Sequence, residues 1–319
     1  MFLCVSLNPA IDKRVRLRRL NRGRVNRAME ATQAPGGKAA HVAMVLRTLG
    51  ADPLWLGFAG GPTGSALVDG LKGLSIRAET VPTASTTRMN LEILDGEGGV
   101  TEILEPGGEI SSEELRKLEE IYDAALREST GKTTVILSGS LPPGVPEDYY
   151  ATLIALGHQC GCRVFVDTSG EPLKLALQAH PDFVKPNQEE AEWLTGRTID
   201  GPGSARSVLK MIIGKGADAG AISLGSKGLL WQRAKDGEVL YAKVPEMTGR
   251  STVGSGDSTI AGFAFAEHQG LEPAESLCLA AACGAANCLA EGPGLARAED
   301  IERLKKEIHA EIVQELAKG

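Results

Sequence analysis

Short apolar runs alternate with helical patterns along most of this 319-residue chain, and that alternation restricts the fold more than any other feature. The runs contain few polar residues, which is typical of strands buried on both faces of a sheet. They cover residues 2–7, 54–58, 135–137, 164–166, 183–184 and 221–224. Helical patterns lie between most of them, at 39–49, 64–71, 112–126, 147–156 and 188–194. The sequence therefore predicts an α/β core whose mostly parallel sheet is covered by helices on both faces.

Serine residues mark the starts of two helices. Ser111 is followed by Ser-Glu-Glu, and Ser204 is followed by Ala-Arg-Ser. Serine hydroxyls cap the N–H groups that the first turn of a helix leaves without partners, so we expect these segments to supply capping side chains at the starts of two helices. From Gly254 onward the chain is mostly helical in pattern.

Two segments interrupt this order and have the character of β hairpins. Residues 12–34 are rich in arginine and valine, and residues 85–104 alternate apolar with polar positions around the turn Asp95-Gly-Glu-Gly-Gly99. They predict a small sheet beside the core that acts as a lid or as a dimer interface. The expected division is a core of residues 1–11, 35–84 and 105–319, with a lid of residues 12–34 and 85–104.

Composition limits the classes of function. A net charge of −7 argues against a nucleic-acid surface, and the most apolar stretch, 277–290, is too short to cross a membrane. The first ten residues meet charged positions too early for a signal peptide, and the six cysteines show no paired spacing. We therefore expect a cytoplasmic enzyme with reduced thiols and small-molecule partners, without nucleic acid or membrane.

The segment from Ser251 to Gly262 places a carboxylate at the start of a glycine-opened helix. Gly254 and Gly256 allow a tight turn, and the apolar residues after them predict a buried helix. Its first N–H groups carry a dipole of about half a positive charge, which suits a phosphate or a transition-state anion. Asp257 would stand beside that anion as a base. The alternative is that Asp257 only complements the helix dipole.

Further motifs accompany this segment in a fixed order. They read Leu7-Asn-Pro-Ala-Ile-Asp12, Pro35-Gly-Gly-Lys38, Thr87-Arg88, Glu105-Pro-Gly107, Leu137-Ser-Gly-Ser-Leu-Pro-Pro-Gly144, Lys185-Pro-Asn-Gln-Glu-Glu190, Ser223-Leu-Gly225 with Gly228, and Thr252-Val-Gly-Ser-Gly-Asp257. In this order and spacing the chain resembles the ribokinase-like (PfkB) carbohydrate kinases over almost its full length. The closest branch comprises the 1-phosphofructokinases and tagatose-6-phosphate kinases.

The resemblance implies a three-layer α/β/α fold with a small β-sheet lid, dimerisation through that lid, and the cofactors ATP and Mg²⁺. A monovalent cation is an optional activator in the same scheme. Asp257 would take the proton from the sugar hydroxyl, and the backbone of Gly254, Ser255 and Gly256 would form the anion hole.

For the acceptor, the resemblance implies a site that faces the first strands of the core. The expected substrate-binding residues are Asp12, Gly36, Gly37, Lys38, His41, Arg27, Arg88 and Ser138. Guanidinium groups suit bidentate phosphate recognition, so Arg27 and Arg88 favour an acceptor that already carries a phosphate. A loop carboxylate or cap is the alternative for Asp12, and a solvated side chain is the alternative for Lys38.

For the nucleotide, the resemblance implies a second set of residues. Those expected to bind ATP are Lys185, Asn187, Ser223, Gly225, Gly228 and Asn287, and Glu190 is expected to hold Mg²⁺ through water. Helix capping is the alternative for Asn187 and Glu190, and a strand exit is the alternative for the serine and glycines. The Asn287 amide is equally compatible with internal hydrogen bonds.

One position departs from the related kinases. They usually read Gly-Gly-Lys-Gly-x-Asn where this chain has Gly36-Gly37-Lys38-Ala39-Ala40-His41. An imidazole differs from an amide in reach and titrates near neutral pH, so His41 puts the identity of the acceptor in question. A core histidine without a ligand role is the alternative.

These features predict an ATP- and Mg²⁺-dependent kinase of a phosphorylated ketohexose, with fructose 1-phosphate as the first acceptor. Tagatose 6-phosphate, fructose 6-phosphate, and an unphosphorylated sugar or nucleoside are alternative acceptors. A non-catalytic sugar-phosphate sensor is the alternative from another class. A nicotinamide dehydrogenase is disfavoured because Asn8-Pro9 follows the first strand, where a G-x-G-x-x-G motif would be required.

Overall fold

The computed structural model describes residues 1–129, 131–234, 236–247 and 251–314. Its strands are β1 (Phe2–Ser6), β2 (Ala10–Leu17), β3 (Glu30–Gly36), β4 (Pro53–Ala59), β5 (Arg77–Pro82), β6 (Arg88–Asp95), β7 (Val100–Leu104), β8 (Thr134–Ser138), β9 (Arg163–Asp167), β10 (Phe183–Val184), β11 (Ala219–Ser223), β12 (Leu229–Gln232), β13 (Val239–Ala242) and β14 (Ala310–Ile312). Its helices are α1 (Lys38–Thr48), α2 (Gly61–Gly73), α3 (Ser112–Glu128), α4 (Tyr149–Gln159), α5 (Gly170–Gln178), α6 (Gln188–Thr195), α7 (Pro202–Gly214), α8 (Ser255–Gln269), α9 (Pro273–Leu289) and α10 (Ala298–Glu307).

The core is one ten-stranded sheet in the order β14-β13-β12-β11-β10-β9-β8-β1-β4-β5. All pairings from β11 to β5 are parallel, and β12 to β14 add an antiparallel edge. Successive residues of β1 enter opposite clusters: Phe2 and Cys4 pack with α1, α8 and α9, whereas Leu3 and Val5 pack with α3 to α7. The predicted three-layer α/β/α fold is therefore confirmed.

Several elements were not predicted. The structure contains four strands that the sequence analysis did not predict, β5, β12, β13 and β14, and unpredicted helices that include α5. Ser204 supplies the expected capping side chain at the start of α7: the helix begins at Pro202, and the Ser204 hydroxyl in its first turn accepts from Gly201 N–H at 3.2 Å. Ser111 does cap α3, in a reciprocal capping box with Glu114. Among the described residues, no helix combines the length and the apolar character needed to span a bilayer.

The two hairpin segments form a separate four-stranded sheet in the order β3-β2-β6-β7. Its strands extend past the predicted limits, because β2 begins at Ala10 and β3 continues to Gly36. Asp12 therefore lies within β2 rather than in a loop after β1, and it is paired in register with Asn90 of β6. The small sheet thus supplies Asp12 to the edge of the core where the first parallel strands end.

A buried arginine joins the small sheet to the core. Arg14 Nε of β2 lies 2.6 Å from Glu92 Oε2 of β6, with 10% and 8% of the two side chains exposed. The same guanidinium donates to the carbonyl oxygen of Glu291, in the segment after α9. Arg14 thereby connects strands β2 and β6 of the small sheet to the core.

Arg14→Leu is expected to lower the free energy of unfolding by about 3 kcal/mol, because it leaves the buried Glu92 carboxylate without its countercharge. Urea titration followed by circular dichroism measures this loss. The double variant Arg14→Leu/Glu92→Leu is the control, and apolar replacement of both partners should recover most of the stability. A loss below about 1 kcal/mol in the single variant would show that the pair is not needed.

Candidate active site

The start of α8 leaves N–H groups free for an anion. Gly254 adopts a left-handed conformation, φ 82°, as the residue before the helix, and no side chain in the described part of the chain caps it. The hydrogen bond from Ser258 N–H to Gly254 O, at 2.9 Å, is the first of the intrahelical type, so the N–H groups of Gly256 and Asp257 precede the ladder. These two donors lie at the positive end of the helix dipole, which favours an anionic ligand.

Asn287 of α9 holds the segment that leads into this helix. Its amide nitrogen donates to Val253 O at 2.7 Å, and its side-chain oxygen accepts from Gly294 N–H at 2.8 Å. The side chain is 3% exposed. The amide is thus engaged internally, the alternative that the sequence left open, and a contact with the base of ATP remains a prediction.

Asp257 is linked to Asp12 through a single imidazole. Nδ1 of His41 lies 2.7 Å from Oδ2 of Asp257, and Nε2 of His41 lies 2.7 Å from Oδ2 of Asp12. Burial alone would lower the pKa of His41, but the carboxylates of Asp12 and Asp257 outweigh it and raise that pKa to about 10. The ring therefore carries a positive charge at neutral pH and donates to both carboxylates.

Close packing fixes the orientation of Asp12. A Cβ on Gly36 would lie 2.2 Å from Asp12 Oδ1, so only glycine fits beside this carboxylate. Asn90 Nδ2 donates to the same oxygen at 2.9 Å. Asn90 was not predicted from the sequence. The available signal was that it is a polar position in the apolar–polar alternation of the second hairpin.

Two lysines flank a buried carboxylate at the end of β9. Lys38 Nζ lies 3.4 Å and Lys185 Nζ 3.6 Å from Oδ1 of Asp167, which is 1% exposed. Burial would raise the pKa of Asp167, but the two ammonium groups lower it below its usual range. For Lys38, burial works against the charge, while Asp167, Asp257 and Glu190 raise its pKa. Asp167 was also missed; its signal is a polar residue directly after a buried strand.

Lys185 lies next to the free donors of α8. A Cβ on Gly256 would be 3.1 Å from Lys185 Nζ, so the ammonium and the Gly256 backbone are immediate neighbours. The lysine is 3% exposed and extends from the segment after β10. A cation and two N–H donors therefore converge at the start of α8, an arrangement that can stabilise the charge on a transferring phosphoryl group.

Buried polar atoms around this site lack protein partners. Among the described residues, Ser138 Oγ, Asp167 Oδ2, Thr168 Oγ1 and Asn90 Oδ1 are buried and make no hydrogen bond. Ser138 and Asp167 are paired in register at the carboxyl ends of β8 and β9. Since buried polar groups are normally satisfied, this concentration indicates a site for a polar ligand.

The predicted nucleotide residues lie on neighbouring elements. Asn187 caps α6 and exchanges hydrogen bonds with Glu190, each at 2.8 Å, so both have the capping role that was the alternative to metal binding. Asn187 also forms a β-bridge with Ser223. Gly225 and Gly228, with φ 59° and 112°, form the turn after β11. Their contact with ATP remains a prediction.

The two predicted phosphate-binding arginines differ in their surroundings. Arg88 donates to the backbone oxygens of Asn8 and Glu105, which holds its guanidinium near Asp12. Arg27 is exposed in the segment between β2 and β3, and among the described residues it makes no hydrogen bond or ion pair. The structure therefore brings Arg88, and not Arg27, to the site.

A cavity of about 890 Å³ lies elsewhere, at the amino ends of the strands. Its lining includes Met1, Arg77, Lys132 and His268. None of the predicted site residues borders it, and it lies at the far end of α8 from Asp257. The cavity is therefore separate from the cluster described above.

Known proteins resemble the chain over nearly its whole length. The profile of the pfkB family of carbohydrate kinases matches residues 5–300. A provisionally named phosphofructokinase from Staphylococcus aureus is 30% identical, with 99% of this chain and 100% of that chain covered at a TM-score of 0.81. Phosphofructokinase-2 from Escherichia coli, solved with substrates and products, is 28% identical over 96% of this chain and 98% of its own, at a TM-score of 0.88.

Two further findings extend the comparison. A provisionally named 1-phosphofructokinase from Thermotoga maritima is 24% identical, covers 98% of this chain and 99% of its own at a TM-score of 0.87, and bears on the fold alone. The Escherichia coli enzyme has also been solved with fructose 6-phosphate, with potassium, and in a tetrameric inhibited form.

Proposed function

The chain belongs to the pfkB family of carbohydrate kinases, and from that premise we propose that it transfers the γ-phosphate of ATP to a hydroxyl of a phosphorylated ketohexose. The observation that carries this proposal is the position of Asp257 beside the free N–H groups of α8, linked through His41 to Asp12. Fructose 1-phosphate is the first acceptor, and fructose 1,6-bisphosphate is the product.

In the proposed reaction Asp257 is the base. Its Oδ2 is engaged with His41, so Oδ1 takes the proton of the acceptor hydroxyl as that hydroxyl oxygen bonds to the γ-phosphorus. The bond between the γ-phosphorus and the oxygen bridging to the β-phosphate breaks, and ADP leaves with the electron pair. The proton on Asp257 passes to solvent after the sugar bisphosphate departs.

Charge stabilisation comes from groups that surround the transferring phosphoryl group. The N–H groups of Gly256 and Asp257 and the ammonium of Lys185 stabilise its equatorial oxygens, and Lys38 approaches from α1. Asp12 orients the acceptor from the small sheet, and Arg88 supplies positive charge near it. Positioning and electrostatics provide most of the catalysis in this class of reaction.

Magnesium fits the residues at the phosphate end of this site. Mg²⁺ prefers oxygen ligands and retains several waters, and it neutralises charge on the phosphates of ATP. Among the described residues, no cluster of three or more metal-ligating side chains would hold the ion without phosphate or water. Glu190, which lies close enough to Lys38 to raise its pKa, and Asp167, whose Oδ2 makes no hydrogen bond to the residues that the structure describes, would hold the ion together with water.

Fructose 6-phosphate is the second acceptor candidate. The Escherichia coli relative, 28% identical, is a phosphofructokinase-2 and has been solved with that sugar. The same relative has been solved with potassium, so a monovalent cation is a second ion to include in assays. The two phosphate positions place the reacting hydroxyl at opposite ends of the ketohexose, and turnover distinguishes them directly.

A dimer formed through the small sheet is part of the proposal. Val100, Ile103 and Leu104 of β7 are 40%, 55% and 59% exposed, an apolar edge that a second copy would cover. Ile103→Lys is expected to shift the protein from dimer to monomer in sedimentation velocity, because it places a charge within the contact. A monomeric native protein, or a variant that remains dimeric, would contradict this interface.

The test is ADP release by the purified protein with Mg-ATP against phosphorylated ketohexoses, free sugars and nucleosides. We expect fast turnover with one ketohexose phosphate and slow ATP hydrolysis without an acceptor, because a closed lid excludes water. Turnover with free sugars or nucleosides alone would overturn the phosphate-binding role of Arg88. No turnover across the panel would favour a sugar-phosphate sensor.

A further inference from the structure

His41 connects three elements that meet at the candidate site. It extends from α1 and is 4% exposed, and its ring lies between Asp12 of β2 and Asp257 of α8. Asp12 belongs to the small sheet, whereas α1 and α8 belong to the core. One imidazole therefore spans the boundary between the two sheets and contacts the proposed base directly.

His41 forms a bridge between Asp12 and Asp257, and the protonation state of its ring follows from the hydrogen bonds of this bridge. Each ring nitrogen lies 2.7 Å from a carboxylate oxygen, and an ionised carboxylate only accepts. Both ring nitrogens must then donate, which requires the imidazolium form. An asparagine at this position could not do the same, because its one amide nitrogen cannot donate in opposite directions to two separated carboxylates.

The bridge is held in place from both sides. A Cβ on Gly294, φ 74°, would lie 2.9 Å from the Cα of His41, so the backbone of that segment packs directly against the histidine. Gly294 is itself fixed by Asn287. On the other side Asn90 holds Asp12. Packing therefore holds the backbone of His41, and a hydrogen bond holds Asp12, at the two ends of the contact.

We propose that His41 is a positioning residue that fixes Oδ2 of Asp257 and thereby directs Oδ1 to the acceptor hydroxyl, while tying the base to Asp12 of the small sheet. The inference rests on the proposed function, since it assigns Asp257 as the base. It gives His41 a role through two carboxylates instead of a direct contact with the sugar. A movement of β2 that displaces Asp12 would be transmitted to Asp257 through the His41 ring.

Other charges face the bridge and set the background of its pH dependence. Arg88 of β6 attracts Asp12, and Lys38 of α1 attracts Asp257. The carboxylate of Glu102 in β7 repels the carboxylates of Asp12 and Asp257 and is attracted by His41. The imidazolium is the charged group in hydrogen-bond contact with the base, so its removal should affect Asp257 more than the loss of any of these longer-range charges.

The first experiment measures His41→Ala with Mg-ATP and the acceptor found for the native enzyme. We expect kcat to fall by about 10- to 100-fold with little change in KM, because the base loses its orientation. The acid limb of the kcat/KM profile should also move to higher pH. A change in KM alone would indicate direct sugar binding by His41, and native kinetics would show no role; either result overturns the proposal.

Added imidazole should restore kcat in His41→Ala by occupying the vacated position. Restoration should weaken as the pH rises above about 6.5, where the free ring loses its second proton. The matched control is His158→Ala, which breaks a histidine–aspartate contact of 3.0 Å with Asp182 away from the site. Imidazole should leave the kcat of this control unchanged. Equal effects on both variants, or rescue that grows with pH, would contradict the proposal.

A second measurement needs no turnover and covers the case in which His41→Ala does not fold. In the native protein, NMR of the histidine rings should show His41 still doubly protonated at about pH 8.5, and Asp257→Asn should lower the pH at which it titrates. Titration below about pH 7 in the native protein would overturn the bridge. A protonated His41 in a protein that phosphorylates no acceptor would contradict the proposed function and leave the bridge itself intact.

Discussion

Asp257→Asn is expected to lower kcat by about 10²- to 10⁴-fold while the protein remains folded. The amide has nearly the same volume as the carboxylate, but it does not accept a proton at neutral pH. The N–H donors of α8 and the ammonium of Lys185 remain in place, so binding of ATP should persist. The loss should therefore appear in the chemical step, and single-turnover measurements at saturating substrates will isolate it.

Asp182→Asn is the matched control for this variant. Asp182 is also buried, at 7% exposure, and pairs with His158 and Arg163 at 3.0 and 2.8 Å, away from the start of α8. It should lose stability but retain kcat, whereas Asp257→Asn should lose kcat while its near-UV circular dichroism is unchanged. Turnover by Asp257→Asn within about tenfold of the native rate would remove Asp257 from the role of base.

Lys185→Met is expected to lower kcat by about 10²- to 10³-fold. The ammonium lies beside Gly256 at the start of α8, and it is 3% exposed, so its charge is poorly screened by water. Methionine has a similar length and fits the same apolar path, but it offers no charge to a transferring phosphoryl group. The affinity for the acceptor should change less than kcat, since the interaction grows as charge develops.

Removing Lys185 also leaves Asp167 with Lys38 alone, which lowers stability, so the two effects must be separated. Urea titration of Lys185→Met measures the loss of stability by itself, and kcat is then measured under conditions in which the variant is folded. Lys174→Met, which breaks an exposed contact of 2.9 Å with Glu171, controls for loss of a lysine. A kcat within about tenfold of the native rate in folded Lys185→Met would contradict a role of the ammonium at the phosphoryl group.

The central strands were predictable because they are buried on both faces and therefore lack polar alternation. β1 shows this well, since every one of its residues is buried. β5 was missed because it mixes an exposed arginine and glutamate with a half-exposed threonine at the edge of the sheet. Such a strand is specified by its neighbour β4 rather than by its own pattern.

The site was predictable where its parts are contiguous in the chain. The glycines before Asp257 and those before Lys38 open helices locally, and both helices begin where the motifs indicate. Asp167 was not found because its partner Lys38 is 129 positions away. Asn90 likewise acquires its role from the register of β6 with β2.

His41 shows most clearly which features of the site the sequence alone could not reveal. Its departure from the related kinases was visible, but its two carboxylate partners lie 29 and 216 positions away. Only the packing of α1 between β2 and α8 reveals that both ring nitrogens are engaged. For Asn187 and Glu190 the sequence allowed either a cap or a phosphate site; the structure shows the cap, and the phosphate site stays a prediction.

The measurement that tests the central claim most directly is ³¹P NMR of the native protein incubated with Mg-ATP and fructose 1-phosphate. Transfer of the γ-phosphate to this acceptor predicts that ADP and a sugar bisphosphate appear together in equal amounts, and that Asp257→Asn forms neither on the same timescale. ATP that stays intact, or ADP formed with inorganic phosphate and no bisphosphate, would contradict that claim.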